Sequence, residues 1–520
     1  MINDKLIADL FLAEKYQDCH AICLKTLQSD QKNSISYYYL SMIALKYNDL
    51  PRAIDLLKIA VENDPKRLLF QVKLVELLFR TGDLSQAHQQ LLESINCTNV
   101  DVALLNRQGA FFNRLDCHQH ALSVYTRAMM LSKLPCADVL INLATTYKFL
   151  GEFQLAKNTI LEVLAIGFYS SVYLPLVEIS DSDSLEGIKI ELEKILSENI
   201  CENEAQKSEI QFALALCFEK LGEYSKSFTS LKIANQIKRK LVPYNKDVEV
   251  QLFSAIKTNF TKVSTNLSTL NSPTFSPIFI LGMPRTGSTL IERILSRHID
   301  VVSTGEIQTF PIEFRRLCQS NSLKILDAEV INASSNVDYQ ILAQKYIQEV
   351  QRFNYKNKML IDKLPYNFLY IGAIKNAFPH AKIIHVKRNP VDTCLSNFKQ
   401  NYAHVYPYSY DLNDMANYFI EYSKLMIHWH TVYPNQIFDI SYEDLILNSE
   451  EYTRKLLSYC ELPWQEECLA PEKNKTSVST ASSVQVRGPI NRTAIKRWQH
   501  YESDLSEVTT LFKEHGIDFT

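Results

Sequence analysis

The sequence predicts a two-part protein, in which an all-helical repeat array is followed by an α/β domain of three layers around a parallel sheet. In the N-terminal half, small residues recur at intervals of 32 to 35 residues, each shortly after a turn. In the C-terminal half, short β-branched runs alternate with helix-like segments, which is typical of parallel strands joined by right-handed crossovers. We place the repeats at residues 1–240, a connecting helix and linker at 241–275, and the α/β domain at 276–520.

Composition limits the classes of function. Apolar residues make up 46% of the chain, which supports large cores, and the net charge of −3 gives no overall basic field for nucleic acid. The eleven cysteines include no CxxC pair and fit a reducing compartment better than a disulfide framework. Cys19, His20 and Cys23 lie close together, but no second ligand pair follows them, so we interpret them as packing residues rather than a zinc site.

The N-terminal segment MINDKLIADLFLAEKYQD carries acidic residues through its apolar stretch, as an amphipathic helix does and a signal peptide does not. No window reaches the roughly 18 uncharged apolar residues that a membrane span needs. We therefore expect a cytoplasmic protein that binds neither membranes nor nucleic acid.

The repeat has a period near 34 residues. The recurring small residues are Ala21, Ala53, Ala87, Ala121 and Ala156. Helix–turn–helix units of this length resemble the tetratricopeptide repeat (TPR) family, and the small residue is needed where the two helices of a unit cross closely. A further unit lies at 212–235 with Ser227 in the small position, and the degenerate stretch 168–204 has room for another.

The resemblance to TPR proteins implies a superhelix with a concave surface for a protein or peptide partner. A packing scaffold for the second domain, or a dimerisation surface, is an equally open alternative, and the oligomeric state stays undetermined. Residues Thr258–Ser276 are rich in Ser, Thr and Asn and are predicted to form the boundary loop.

Four β-branched runs follow this loop and are predicted to be the strands of the parallel sheet. They are Pro277–Leu281, Lys358–Ile361, Lys382–Val386 and Gln436–Ile440.

The first strand leads into a glycine loop, GMPRTGST, which opens a helix. Glycines let the backbone turn so that its N–H groups and the helix N-terminus face an anion. The spacing between Gly282 and Gly287 is that of a phosphate loop. A P-loop kinase has lysine directly after the second glycine. Here that position is Ser288, and the cation is Arg285 inside the loop, where its planar fork can grip a phosphate.

At this point the sequence resembles the sulfotransferase superfamily, in particular the tyrosylprotein-sulfotransferase branch and its repeat-bearing relatives. The resemblance implies a P-loop-like fold and 3′-phosphoadenosine-5′-phosphosulfate as donor, with no metal. The matching loop PRTGST implies these ligands for the 5′-phosphosulfate: Arg285, Thr286, Gly287, Ser288 and Thr289. The segment KIIHVKRNPVDTCLSNF matches the element of the family that binds the 3′-phosphate, which implies Arg388 and Ser396 as ligands.

Two further motifs imply the catalytic groups. The segment STGEIQTF resembles the Gly-Glu motif of the tyrosylprotein branch, so Glu306 is implied as the base that takes the proton of the acceptor hydroxyl. His298 competes for this role, but it stands where the family has a structural histidine. In LIDKLPYN, Lys363 matches the lysine of the family that stabilises charge on the leaving phosphate.

A late segment completes the resemblance, which covers residues 277–501. Arg487 and Gly488 match an Arg–Gly element that closes over the 3′-phosphate. Either Ser482 or Ser483 takes the serine position that assists the lysine. Tyr442 matches a tyrosine near the nucleotide and can equally be a core residue, whereas Trp498 is expected to be core.

The expected reaction is sulfuryl transfer from the nucleotide donor to a hydroxyl. The TPR-like array and Glu306 favour tyrosine in a protein or peptide as acceptor, and a sugar or small-molecule hydroxyl is the alternative. Residues 310–357 carry no recognised motif, although they should shape the acceptor pocket. Two other functions compete, namely a P-loop kinase and a TPR interaction module whose nucleotide domain is inert.

Overall fold

The computed structural model of the chain describes residues 2–262, 275–356, 358–402, 405–480, 482–488, 490 and 492–520. Its contacts divide the chain into two compact units, Met1–Leu150 and Gly151–Thr520. The predicted domain boundaries near residues 240 and 276 stay a prediction, and most of the predicted boundary loop lies outside the described residues. Among the described helices, none is both long and apolar enough to cross a membrane.

The first unit is all-helical. Its helices are α1 (Ile2–Leu12), α2 (Tyr16–Ser29), α3 (Ser34–Lys46), α4 (Leu50–Asn63), α5 (Leu68–Thr81), α6 (Leu84–Ser94), α7 (Val102–Arg114), α8 (His118–Leu131) and α9 (Ala137–Leu150). Successive helices pack in pairs, α1 on α2, α3 on α4, α5 on α6 and α7 on α8. The predicted helix–turn–helix array is therefore confirmed.

One position of the predicted repeat register is wrong. Ala53, Ala87 and Ala121 are fully buried, as expected at a helix crossing, but Ala21 is exposed. The buried residue of the first unit is Cys19, which stands 34 residues before Ala53 and so keeps the period of the next two intervals. Because Cys19 fills the crossing position, its place in the core follows from packing.

The second unit begins with six further helices. They are α10 (Phe153–Ile166), α11 (Tyr173–Ile179), α12 (Ser182–Ser197), α13 (Glu204–Lys220), α14 (Tyr224–Leu241) and α15 (Lys246–Asn259). The degenerate stretch 168–204 is thus helical. Ser227 is fully buried, and its Oγ donates to the Ala215 carbonyl (2.8 Å), so it occupies the predicted small position.

Among the described residues, five parallel strands form one sheet, in the order β2-β3-β1-β4-β5. The strands are β1 (Ile278–Gly282), β2 (Val301–Ser303), β3 (Met359–Lys363), β4 (Lys382–Lys387) and β5 (Ile437–Ser441). The parallel sheet and four of its strands are as predicted. The edge strand β2 was not predicted, because three residues carry too little periodicity to distinguish a strand from a loop.

Helices surround the sheet. They are α16 (Ser288–Leu295), α17 (Thr309–Cys318), α18 (Ala328–Asn332), α19 (Tyr339–Val350), α20 (Ile371–Ala377), α21 (Pro390–Phe398), α22 (Leu412–Val432), α23 (Tyr442–Leu447), α24 (Ser449–Tyr459) and α25 (Ser506–Glu514). Short 3-10 turns lie at Ser170–Val172, Ala333–Asn336, Gln351–Phe353, Pro365–Tyr370, Pro407–Tyr410, Glu466–Leu469, Pro471–Lys473, Gln485–Arg487, Arg492–Ala494 and Arg497–Tyr501.

The sheet separates two hydrophobic cores. Side chains of β1 alternate between them, with Ile278 and Ile280 in the core beneath α16, and Phe279 and Leu281 in the larger core on the other face. The larger core also contains side chains of α13, α14 and α15, so these helices share a core with the α/β domain. The carboxyl ends of β1, β3 and β4 meet at one edge, which is where open parallel sheets bind ligands.

Candidate active site

The glycine loop joins the central strand β1 to helix α16. Gly282 ends the strand with φ 144°, and a Cβ there would lie 2.5 Å from the Val386 carbonyl oxygen of the neighbouring strand. Gly287 precedes α16 with φ 101°, and a Cβ there would lie 2.5 Å from the Tyr442 ring. Only glycine fits both positions, so the backbone can turn tightly and present its N–H groups at a helix N-terminus.

Arg285 projects from this loop toward a late segment of the chain. Its backbone is left-handed (φ 67°), which is uncommon for a residue with a side chain. Its Nη1 donates to Ser482 Oγ (2.5 Å) and its Nη2 to Gln485 Oε1 (2.9 Å). Burial lowers the pKa of Arg285. Of the two candidate serines, Ser482 faces Arg285, whereas Ser483 is buried.

The other loop residues hold the turn together. Thr286 Oγ1 donates to the Met283 carbonyl (2.8 Å), and Thr289 Oγ1 lies 3.4 Å from Thr480 Oγ1. Ser288 is the first residue of α16, and both it and Thr289 are buried. The predicted loop ligands are therefore gathered in one turn.

Arg388 brings the second predicted phosphate element to the same place. It follows β4, and its Nη1 donates to Ser396 Oγ (3.2 Å) and to the carbonyl of Arg285 (3.0 Å). Its Nη2 donates to the Ala494 carbonyl (2.7 Å). The guanidinium carbon lies 5.0 Å from the centre of the Tyr442 ring, within cation–π range. Arg285, Arg388, Ser396 and Tyr442 are thus parts of one site.

This cationic site has hydrogen-bonding capacity to spare. Arg388 Nε is buried and has no hydrogen-bond acceptor among the residues that the structure describes. A buried unsatisfied donor is costly, and an anionic ligand would supply the missing acceptor. The residues present therefore fit a ligand with phosphate groups.

Lys363 lies between two carboxylates at the end of β3. Its side chain is fully buried, and its Nζ lies 2.6 Å from Glu306 Oε1 and 3.4 Å from Glu292 Oε2. Burial lowers the pKa of Lys363, but the two carboxylates outweigh burial and raise it above its usual value. The lysine is therefore a fixed positive charge.

Backbone hydrogen bonds between the segment after β2 and strand β3 place Glu306 beside Lys363. After β2, the Thr304 N–H donates to the Ile361 carbonyl (2.9 Å), and the Lys363 N–H donates to the Gly305 carbonyl (3.1 Å). The Glu306 side chain keeps 34% exposure, so one of its faces is open to an incoming group. A carboxylate that is partly exposed and close to a fixed cation can accept a proton from a bound hydroxyl.

His298 has a structural role, as the family resemblance implies. It is buried, its Nε2 lies 3.0 Å from the Pro463 carbonyl, and its Nδ1 accepts from the Asp300 N–H (3.1 Å). Both ring nitrogens are therefore engaged away from Glu306. Trp498 is buried in the larger core, as predicted.

Arg487 and Gly488 lie apart from the contacts of Arg388. The Arg487 guanidinium donates to the Thr476 carbonyl (3.3 Å), and a Cβ on Gly151 would lie 2.6 Å from its Nη1. Burial lowers the pKa of Arg487, and the charge of Glu152 opposes this shift. The prediction that Arg487 and Gly488 close over a 3′-phosphate stays a prediction.

Four residues of the site were not predicted, namely Glu292, Gln485, Asn397 and Tyr402. Asn397 is fully buried, donates to the Pro284 carbonyl (2.8 Å) and accepts from the Tyr402 hydroxyl (2.9 Å). Its position directly after Ser396 was a usable signal. Glu292 offered a weaker one, since it follows Ser288 by one helical turn.

A separate group of potential metal ligands lies on β4, β5 and α22. In the described part of the chain, His385, His430 and Asp439 bring their ligand atoms within 4.8 Å of one another. Asp439 also binds Lys387 (3.1 Å), and His385 lies 2.8 Å from Asp439. A lysine ammonium beside the carboxylate opposes a metal cation, so we interpret this group as a hydrogen-bond network.

A glycine loop at a helix N-terminus, two arginines joined by a hydrogen bond and a lysine–carboxylate pair define the class: a P-loop-like α/β domain whose candidate site has the charges that suit a phosphorylated ligand. Residues 277–466 match the family model described as "Sulfotransferase family". This match confirms the resemblance to sulfotransferases in the α/β domain.

Two relatives show similarity over different lengths of the chain, and one of them is named as a sulfotransferase. An uncharacterized protein of Aquifex aeolicus is 32% identical over 386 residues, covering 72% of this chain and 50% of that protein. The protein-tyrosine sulfotransferase of Drosophila melanogaster is 27% identical over 266 residues, covering 46% of this chain and 51% of that protein. The chain thus spans about half the length of these two relatives.

Two solved structures are similar to part of the chain. A sulfotransferase domain from the curacin biosynthetic pathway is 19% identical, with a TM-score of 0.36, and covers 48% of this chain and 100% of that chain. The TPR protein YrrB is 12% identical, with a TM-score of 0.27, and covers 41% of this chain and 91% of that chain.

Proposed function

We propose that the α/β domain transfers a sulfuryl group from 3′-phosphoadenosine-5′-phosphosulfate to an acceptor hydroxyl. The observation that supports this most is the hydrogen bond from Arg388 to the carbonyl of Arg285, because it joins two cationic phosphate elements into one site. A nucleotide with phosphate groups on both its 5′ and 3′ positions needs two such elements a short distance apart. The family match at residues 277–466 supports the same reaction.

In this proposal the loop and its arginine hold the 5′ end of the donor. Arg285 and the N–H groups at the start of α16 bind the phosphosulfate, while Arg388 and Ser396 bind the 3′-phosphate. Arg285 would exchange its present partners, Ser482 and Gln485, for the donor oxygens. Its present partners are neutral acceptors, whereas phosphate oxygens are charged and match the guanidinium fork, so this exchange is favourable.

The buried lysine and its exposed partner perform the chemistry. The bound donor supplies an electrophilic sulfuryl group and a phosphate leaving group. Glu306 accepts the proton of the acceptor hydroxyl as the acceptor oxygen bonds to sulfur. The Lys363 ammonium then stabilises the negative charge left on the departing phosphate oxygen, at no cost of reorganisation because the lysine is already fixed.

An aromatic acceptor is favoured by the surroundings of Glu306. Burial raises the pKa values of Tyr402 and Tyr406, and the charge of Glu306 adds to both shifts. The two rings lie 4.7 Å apart, and Tyr406 lies 4.7 Å from Tyr366. Aromatic walls beside the base suit the ring of a tyrosine. We therefore propose a tyrosine side chain in a peptide as acceptor, with a sugar or small-molecule hydroxyl as the alternative.

The roles of the repeats and the location of the protein complete the proposal. Helices α13 to α15 share the core of the α/β domain, which favours a scaffold role for this part of the array. We propose that residues 1–150 bind a protein or peptide partner, as helical arrays commonly do. All eleven cysteines are free, which supports a reducing compartment such as the cytoplasm.

Calorimetric titration tests the donor site. We expect adenosine 3′,5′-bisphosphate to bind wild-type protein, and Arg285→Ala and Arg388→Ala each to weaken it by about 10-fold or more, the effect of a lost charge-assisted pair. The exposed arginine variant Arg52→Ala is the matched control and should bind normally. Tighter binding of magnesium ATP than of the bisphosphate would favour the kinase alternative.

A transfer assay tests the chemistry. Radiolabelled donor is offered to tyrosine peptides and to matched phenylalanine peptides, with wild type and Glu306→Gln compared. We expect label only on the tyrosine peptide and a loss of about 100-fold or more in Glu306→Gln, the usual contribution of a general base. Undiminished transfer by Glu306→Gln would refute its role, and donor binding without any transfer would favour the inert-module alternative.

A further inference from the structure

Glu292 contacts both parts of the proposed catalytic pair, although nothing in the sequence motifs assigned it a role. It lies on α16, the helix that the phosphate loop opens, and its side chain is only 14% exposed. Its Oε2 lies 3.4 Å from Lys363 Nζ, and its Oε1 accepts a hydrogen bond from Ser303 Oγ (2.6 Å). Each carboxylate oxygen thus has a distinct partner.

The Ser303 contact leads to the loop of Glu306. Ser303 Oγ accepts from the Gly305 N–H (3.1 Å), and Gly305 has a left-handed backbone (φ 70°). Gly305 directly precedes Glu306. A continuous path of hydrogen bonds therefore runs from α16 through Glu292 and Ser303 to the residue beside the proposed base.

The Lys363 contact matters because of the charge balance during transfer. In the resting site the buried ammonium has two carboxylate partners, Glu306 at 2.6 Å and Glu292 at 3.4 Å. When Glu306 accepts a proton it becomes neutral, so Lys363 loses the charge of its nearer protein partner while charge develops on the departing phosphate. A buried cation that loses a partner is unfavourable and free to shift. Glu292 takes no part in this proton transfer and remains beside the ammonium.

We propose that Glu292 is a positioning residue of the sulfuryl transfer: it holds the Lys363 ammonium in place for the departing phosphate and remains its protein partner after Glu306 takes up the proton of the acceptor. This inference rests on the proposed function. Through Ser303, the same carboxylate also keeps the loop of Glu306 in register with β3.

Other ionisable groups lie near Lys363 and Glu306. Asp362 adjoins Lys363 and is fully buried, and burial raises its pKa to about 7. It is held by the Tyr346 hydroxyl (2.9 Å) and the Asn367 amide (3.0 Å) rather than by the lysine. Burial raises the pKa values of Tyr402 and Tyr406, and the charge of Glu306 adds to both shifts.

The test is the pH dependence of kcat in Glu292→Gln. Glutamine keeps an oxygen that can accept from Ser303 but removes the charge beside Lys363. Because the carboxylate raises the pKa of Lys363, its loss should lower that pKa. We therefore expect the alkaline limb of kcat to move to lower pH by about one to three units, the usual effect of one nearby opposite charge. The KM for the donor should change less than about twofold, because in this proposal Glu292 makes no contact with the bound donor.

Two further variants separate charge from geometry. Ser303→Ala keeps the charge of Glu292 and breaks the path to Gly305. It should lower kcat without moving the alkaline limb. Glu292→Asp keeps a charge at greater distance and should move the limb less than Glu292→Gln does. Circular dichroism at each pH shows that the compared proteins are folded, and these two variants still decide the question should Glu292→Gln not fold.

The outcomes are distinct. An alkaline limb of Glu292→Gln that coincides with that of wild type, in a protein whose transfer depends on Glu306, overturns the role of Glu292 and leaves the proposed function intact. Equal limb shifts in Ser303→Ala and Glu292→Gln would show that geometry, not charge, is responsible, and would also overturn it. A wild-type protein that transfers no sulfuryl group overturns both.

Discussion

Replacing Gly282 with alanine tests whether the strand end that opens the glycine loop is as tightly constrained as its geometry indicates. Gly282 pairs with Val386 of the neighbouring strand in the β1–β4 ladder. An added Cβ would lie 2.5 Å from the Val386 carbonyl oxygen and 3.4 Å from Thr286 Oγ1. The first neighbour is backbone held in a sheet, so it cannot rotate away as a side chain would.

Two costs add in this variant. A residue with a Cβ at φ 144° is strained by about 1–3 kcal/mol. Forcing a methyl group against the fixed backbone of a packed core costs about 1–3 kcal/mol more. Gly282→Ala should therefore lower the free energy of unfolding by about 2–6 kcal/mol. This is a large fraction of the stability of a typical domain.

Gly222→Ala is the matched control. It is also left-handed (φ 81°) and lies in the same unit, but a Cβ there meets nothing within 4 Å. It should cost only the strain of about 1–2 kcal/mol. Urea unfolding followed by tryptophan fluorescence compares the two variants, because all three tryptophans lie in the second unit. Equal losses in both variants would refute the steric part of the reasoning.

Two buried acids give further predictions. Glu219→Gln leaves Lys399 and Arg497 without their shared carboxylate, which is 3% exposed. It should lower the free energy of unfolding by about 3 kcal/mol, the lower end for a broken buried pair because Arg497 is 38% exposed. An unchanged urea midpoint would contradict this. Burial raises the pKa of Asp362 to about 7 in the folded protein, against 3.8 as its ordinary value, so its contribution to stability is complete below pH 3.8 and is lost as pH rises to 7. Asp362→Asn should remove this loss of up to about 4 kcal/mol, and unfolding midpoints measured from pH 4 to 7 should therefore fall less steeply than in wild type.

The strands could be predicted because they are buried on both faces. The four predicted runs are rich in β-branched residues and lie between loops, and each coincides with an observed strand to within two residues. β2 was missed because it is an edge strand of three residues. Its position is fixed by pairing with β3, a tertiary contact that leaves little trace in local sequence.

In the first repeat the predicted period is correct, but the residue assigned to the helix crossing is two positions too late. Ala21 looked right because alanine is the commonest small residue in the other units. Cys19 occupies the crossing instead and hydrogen-bonds the Ile7 carbonyl through its Sγ (3.5 Å). A buried thiol behaves as a small apolar group, so composition at one position cannot distinguish the two.

Motifs could predict the residues of the site that follow strands, since the carboxyl ends of parallel strands meet at one edge. Arg285, Lys363 and Arg388 each follow or end a strand, and the sheet order alone places them together. The residues that hold these three side chains in place are harder to predict from sequence. Glu292 contacts Lys363 only because α16 turns that side of the helix toward β3, and this orientation depends on how the helix packs on the sheet.

The late segment of the chain was least predictable, and it does the most to join the site to its surroundings. It contains 3-10 turns rather than regular elements, so neither period 2 nor period 3.6 marks its contacts. Yet Ser482 binds Arg285, Ala494 binds Arg388, and Arg497 reaches Glu219 on helix α13 (2.9 Å). The two arginines of the candidate site are therefore held by the same stretch of chain that packs on the repeat helices. An irregular segment can connect the candidate site to helix α13 because its conformation is set by the residues that it contacts. Its own sequence therefore does not indicate those contacts.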